Sequence, residues 1–115
     1  DFDNNKINRN LAKTISTFSN QNNNNPYDLY IYSYSTKNVA TKDSKGNPSI
    51  YNLQLKVDIT LINNNDKEEL KKSFFENINL YNNDDKFKLK IIEDNLIEQM
   101  SQKILQDILK FLASV

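Results

Sequence analysis

The sequence predicts an α+β fold in two layers: an antiparallel or mixed sheet of three to four strands, with a short N-terminal and a long C-terminal helix on one face. Three observations predict it. Apolar residues recur in steps of three or four at Leu89, Ile92, Leu96, Met100, Ile104, Ile108 and Phe111, the period of an amphipathic helix. Tyr51, Leu53, Leu55, Val57, Ile59 and Leu61 alternate with Asn52, Gln54, Lys56, Asp58 and Thr60, the period of a strand with one buried face and one wet face. Ile7, Leu11, Ile15 and Phe18 share a second helical stripe near the start. A sheet with one apolar face needs a second layer, and the two helices supply it.

Residues 1–19 read as a short helix capped by Asp3, Asn4 or Asn5, a residue type whose side chain satisfies the first free N–H groups. Residues 20–26 are polar and end in Pro26, which forces the preceding residue out of helical geometry. Residues 27–38 read as a strand, with Tyr27, Leu29 and Ile31 on one face and Tyr30, Tyr32 and Tyr34 on the other. Residues 39–49 read as a loop or hairpin tip. It holds the only glycine, Gly46, before Asn47 and Pro48; Gly46 or Asn47 suits a left-handed turn position, and Pro48 is expected to preclude a central-strand role. Residues 50–62 form the clearest strand, followed by a tight turn at Asn63-Asn64-Asn65-Asp66. Residues 69–81 read as a third strand with weaker alternation. Leu70, Phe74, Ile78 and Leu80 fall on one side, Phe75 and Tyr81 on the other. The last helix is expected over residues 83–112, with Asn83, Asp84 and Asp85 as N-cap candidates. At about 1.5 Å per residue it would be ~45 Å long. Its apolar face reads as core.

Composition narrows the function. The chain has 115 residues, a single domain spanning 1–115, with 15 basic and 15 acidic side chains and zero formal charge. Nothing global favours nucleic acid. No run reaches the ~18 apolar residues of a membrane span. There is no cysteine and no histidine, so disulfides, thiolate nucleophiles and the commonest general base are missing. The acidic pairs Glu68-Glu69, Asp84-Asp85 and Glu93-Asp94 lack a basic or metal-binding companion at a telling spacing. Asp84-Asp85 reads as a helix start and Glu93-Asp94 as a solvated helix face. Ser101-Gln102-Lys103 lacks every companion of a serine-lysine site. No catalytic, metal or cofactor residues are assigned, and an enzyme is disfavoured. The abundant asparagines are attributed to base composition rather than function.

Binding is the remaining class. Tyr30, Tyr32 and Tyr34 make a strip of apolar rings with polar tips, the chemistry of a protein interface. The alternative is that these rings pack beneath a loop or a neighbouring strand. Lys42, Lys45, Lys71 and Lys72 are candidate contacts for an anionic ligand.

Leu70-Lys71-Lys72-Ser73-Phe74, the Tyr81-Asn82 pair, Lys86-Phe87, Glu93-Asp94-Asn95-Leu96 and the run Ile104 to Leu112 follow one another in an order and spacing that resembles the lipopolysaccharide-assembly lipoprotein family (LptE/RlpB-like) in its alphaproteobacterial form. Asn8-Arg9-Asn10-Leu11, Tyr27-Asp28-Leu29-Tyr30-Ile31 and Leu53-Gln54-Leu55-Lys56-Val57 extend the resemblance over nearly the whole chain. The family's lipidated N-terminal cysteine and first strand are missing, which fits a chain trimmed of its anchor; the start at Asp1 without Met points the same way. The resemblance implies a lipoprotein at the periplasmic face of the outer membrane. Such a protein plugs a β-barrel translocon, helps assemble it, and aids lipopolysaccharide insertion. The implied partners are that outer-membrane β-barrel assembly protein and lipopolysaccharide, with membrane contact only through the absent anchor. A pilotin-like chaperone or lipid carrier is the other reading; a carrier requires a sizeable apolar cavity.

Overall fold

In the computed structural model, residues 27–114 are described. Three strands, β1 (Tyr27–Lys42), β2 (Pro48–Asn63) and β3 (Glu69–Tyr81), precede one helix, α1 (Lys86–Ala113). The sheet order is β1-β2-β3, and both pairings are antiparallel. The expected N-terminal helix over residues 1–19 and the polar segment over residues 20–26 lie outside the described residues.

The first two strands are longer than the sequence predicts. Residues 39–42 and 48–49 are strand, not loop, and the connection shrinks to residues 43–47. Register explains the difference: Val39 pairs with Tyr51 and Lys42 with Pro48 across irregularities at Thr41. Pro48 does sit in the central strand, but as its first residue, where a missing N–H is tolerated. The tip closes through Asp43, whose Oδ1 accepts from the Lys45 and Asn47 amides, both at 2.9 Å. Gly46 takes the left-handed position at φ 83°. In the second turn Lys67 adopts φ 61°, held by its own N–H to the Asn63 carbonyl at 2.8 Å.

The alternation in β2 sets the layers. Leu53, Leu55, Val57, Ile59 and Leu61 are fully buried and face α1, with Leu80, Met100, Ile104 and Ile108 completing the core. Each such side chain contributes roughly 1.5–3 kcal/mol by leaving water. Phe74 and Phe111 meet edge-on, with ring centroids 6.1 Å apart, so the helix end lies over the far half of β3. Lys103 Nζ lies 2.8 Å from Glu76 Oε1. Hydrogen bonding to that carboxylate holds the Lys103 ammonium above its usual pKa.

Asp85 is the N-cap of α1, accepting from the Phe87 and Lys88 amides. Asn82 fixes the approach. Its N–H donates to the Ser49 carbonyl at 2.9 Å, its side-chain amide donates to the Pro48 carbonyl at 2.8 Å, and its oxygen accepts from Lys86 Nζ at 2.9 Å. The Tyr81-Asn82 pair therefore ties the sheet exit and the helix start to the beginning of β2. Replacing Asp85 with Ala leaves two amides without their acceptor. The expected loss is about 1 kcal/mol, read from the urea midpoint; a change under a third of that would remove the cap from the account.

The buried stripe of α1 departs from expectation at one turn. Ile92 is 41% exposed, while Glu93, expected on the solvated face, is only 3% exposed. The stripe runs Leu89, Glu93, Leu96/Ile97, Met100, Ile104, Ile108. Its steps of three and four are kept, with a carboxylate in the position an apolar residue would fill.

Candidate functional site

The sheet face opposite α1 carries no second layer among the described residues, and the candidate contacts gather there. Register places Tyr30, Tyr32 and Tyr34 of β1 beside Thr60, Asp58 and Lys56 of β2, which in turn face Lys71, Ser73 and Phe75 of β3. Tyr30 and Tyr32 are 57% and 63% exposed. No loop or strand among the described residues covers them. Tyr34 is half-buried. Its ring centroid lies 5.5 Å from that of Tyr32 and 5.6 Å from Lys56 Nζ. Hydrogen bonding to Tyr34, together with the Asp58 carboxylate, raises the pKa of Lys56. Ser73 donates to Asp58 at 2.6 Å. Phe75 is 53% exposed in the same row as Tyr34 and Lys56. The sequence put it on this face but not in the site; the signal available was an aromatic residue on the wet side of a strand.

Further along the same face the chemistry changes. The next two rows are Thr36–Gln54–Asn77 and Asn38–Asn52–Asn79. They contain no charge. Thr36 donates to Gln54 at 3.3 Å, Gln54 to Asn52 at 3.0 Å, and Asn52 to Asn79 at 3.2 Å and Asn77 at 3.5 Å. The result is a hydrogen-bonded amide ladder across all three strands.

The four candidate lysines are not brought together. Lys42 and Lys45 lie at the β1–β2 turn; Lys71 and Lys72 lie near the β2–β3 turn, at the other end of a body 60 Å long. Lys71 pairs with Thr60 on the open face and Lys72 with Ile59 on the helix side, because neighbours on a strand point opposite ways. Lys71 also sits 3.7 Å from Glu69.

At the Lys42 end, outside the open face, lies a further ionic group. Lys37 Nζ approaches Glu93 Oε1 at 2.6 Å, and Lys90 lies 3.6 Å from Glu93 Oε2. The Lys37 contact is ionic without hydrogen-bond alignment, since Oε1 has no hydrogen-bond partner. Lys37 also stands 4.6 Å above the Tyr51 ring. Hydrogen bonding to Asp94, at 3.0 Å, raises the Lys90 pKa.

Among the described residues no three His, Cys, Asp or Glu side chains gather to hold a metal. No described helix is long and apolar enough to cross a membrane. Leu53, Leu55, Val57, Ile59 and Leu61 of β2 are fully covered, so these side chains line no open apolar cavity of the kind a carried lipid needs.

A family model described as LptE, lipopolysaccharide-assembly, matches residues 2–112. Among solved structures, rare lipoprotein B from Shewanella oneidensis is similar in fold. It shows a TM-score of 0.68 at 15% sequence identity, over 90% of this chain and 85% of that one. No curated protein matches the chain by sequence.

Proposed function

Starting from the fact that this chain belongs to the LptE lipopolysaccharide-assembly family, we propose that it works as the plug of its β-barrel partner, with the Tyr30 and Tyr32 part of the open sheet face against the barrel wall. The family's role is lipopolysaccharide assembly together with an outer-membrane barrel; its members are outer-membrane lipoproteins facing the periplasm and act in assembly rather than catalysis. The finer reading is that residues 1–115 form one such domain, held at the membrane by a lipid anchor on the full-length protein, and that this domain sits in the barrel with its sheet face, not α1, on the wall.

One observation supports that role above others: the exposed Tyr30 and Tyr32 on a sheet face that no described element covers. Rings with hydroxyl tips suit a polar barrel lumen, because they bury apolar area and still satisfy hydrogen bonds. The slender body, 60 × 22 × 20 Å, has the proportions of an insert. Lipopolysaccharide phosphates would meet two separate sets of lysines, Lys42 with Lys45 and Lys71 with Lys72. Attraction at these exposed positions is screened beyond roughly 8 Å at physiological salt.

The test is site-specific photocrosslinking in cells. A photoreactive residue at Tyr32 is expected to capture the barrel, and one at Gln102, exposed on α1, is not. Capture from Gln102 with none from Tyr32 would turn the domain round in its partner. Capture from neither position would end the plug reading.

A further inference from the structure

We propose that the amide ladder of the open face, with Phe75 and Tyr34 at its border, binds an uncharged stretch of saccharide chain. The inference rests on the lipopolysaccharide-assembly reading and specifies which part of that molecule this face would take: sugar hydroxyls, rather than phosphates or acyl chains.

Placement is the first argument. Asparagine is disfavoured in strands, and the other asparagines among the described residues lie at strand ends and connections, at Asn47, residues 63–65 and 82–83, apart from Asn95 in α1. Base composition accounts for their abundance. It does not account for Asn38, Asn52, Asn77 and Asn79 lying in one block with Gln54, on one face of three different strands.

Charge is the second. One residue in four of this chain is charged, yet both rows of the ladder are neutral. Within these two rows a phosphate finds no cation and an acyl chain finds no apolar surface; Lys56 and Phe75 stand one row further, at the border. A polyhydroxyl ligand finds matched partners, because each amide carries both donors and acceptors. The ladder bonds leave capacity over: a side-chain amide has two N–H groups and two oxygen lone pairs, and Asn77 and Asn79 are used as acceptors from Asn52.

The border is the third argument. Tyr34 and Phe75 occupy the next row down, with Lys56 between them. An exposed ring beside a hydrogen-bonding shelf offers its face to the C–H side of a sugar while the amides take the hydroxyls. Three strands ~4.8 Å apart and rows about 7 Å apart along the strands give a shelf that fits a short oligosaccharide lying across the sheet. Pre-formed ladder bonds fix the amides before binding, which lowers the ordering cost.

The experiment uses the 115-residue chain, labelled with nitrogen-15, and a deacylated, dephosphorylated core oligosaccharide as probe. Inorganic phosphate serves as a control. Saturable shifts are expected in the side-chain amide signals of Asn52, Gln54, Asn77 and Asn79, with none there from phosphate. The N77T/N79T double variant keeps a strand-compatible residue at both exposed positions and is expected to weaken binding at least tenfold with an unchanged urea midpoint. F75L keeps apolar bulk but loses the aromatic face, and should weaken binding several-fold. Absence of shifts on this face, or shifts that N77T/N79T leaves intact, overturns the inference. So does loss of barrel capture in N77T/N79T when the wild type binds no saccharide, since the ladder would then be part of the barrel contact. Barrel capture by the wild type is measured in parallel. Capture without saccharide binding refutes this inference alone, whereas no capture refutes the assembly reading on which it rests.

Discussion

Leu55→Ala is expected to destabilise the chain by about 3–4 kcal/mol, near the upper part of the range for a buried leucine truncated in a rigid core. Leu55 is fully buried at the middle of the central strand. Its cross-strand neighbours are Ser35 of β1 and Glu76 of β3. Neither can move apolar volume into the space left behind. Ser35 is small, and Glu76 is held by Lys103 at 2.8 Å. The cavity would therefore persist, adding its own cost to the lost transfer energy. Leu61, near the strand end and flanked by Leu29 and Leu70, has neighbours able to close in, so Leu61→Ala should cost less. A domain of this size has only about 5–15 kcal/mol in total, so Leu55→Ala should lower the urea midpoint markedly. A loss below 1 kcal/mol, or a larger loss at Leu61 than at Leu55, would contradict this account of the core.

The elements of strict period were legible from the residues alone. The alternation of Tyr51 to Leu61 identified the central strand and its buried face, and the three-four stripe identified α1 to within a few residues at its start. The lengths of β1 and β2 were not legible. Residues 39–42 carry no alternation and become strand because Tyr51 and Ile50 offer them partners across the hairpin. The distribution of lysines was half legible. Lys71 and Lys72 adjoin in sequence, and the period of two already places them on opposite faces; their distance from Lys42 and Lys45 needs the hairpin lengths. The amide ladder was invisible. Asn52 and Asn79 are remote in sequence and become neighbours only when the β2–β3 register is fixed. Two positions of the family resemblance acquire physical reasons: Asn82 joins the helix start to β2, and Glu93 joins the helix to β1.

That second join is where sequence period and structure disagree, and it carries the remaining large effect. Lys37→Met is expected to cost about 3 kcal/mol, while Glu93→Leu should fall near neutral. The asymmetry follows from burial. Glu93 is almost fully enclosed, whereas the Lys37 side chain is 35% exposed. Removing Lys37 strands a carboxylate away from water, with only Lys90, at 3.6 Å from the other oxygen, in partial compensation. That compensation places the cost at the low end of the ~3–5 kcal/mol typical of a broken buried pair. Removing Glu93 instead releases Lys37 to solvent and leaves an apolar side chain in line with Leu89 and Leu96, where the helical stripe wants one. Leu at 93 restores that stripe, and the carboxylate's desolvation cost disappears with it. In Lys37→Met the first two turns of α1 should also lose hydrogen-exchange protection before the rest, because the pair joins the helix to β1 across β2. The combined variant, K37M/E93L, should recover most of the stability lost in Lys37→Met, giving a coupling of about 2–3 kcal/mol, above the usual additivity error. Equal costs for the two single variants, or a double variant no better than Lys37→Met, would mean that the ion pair itself, rather than relief of a stranded charge, holds this end of the helix to the sheet.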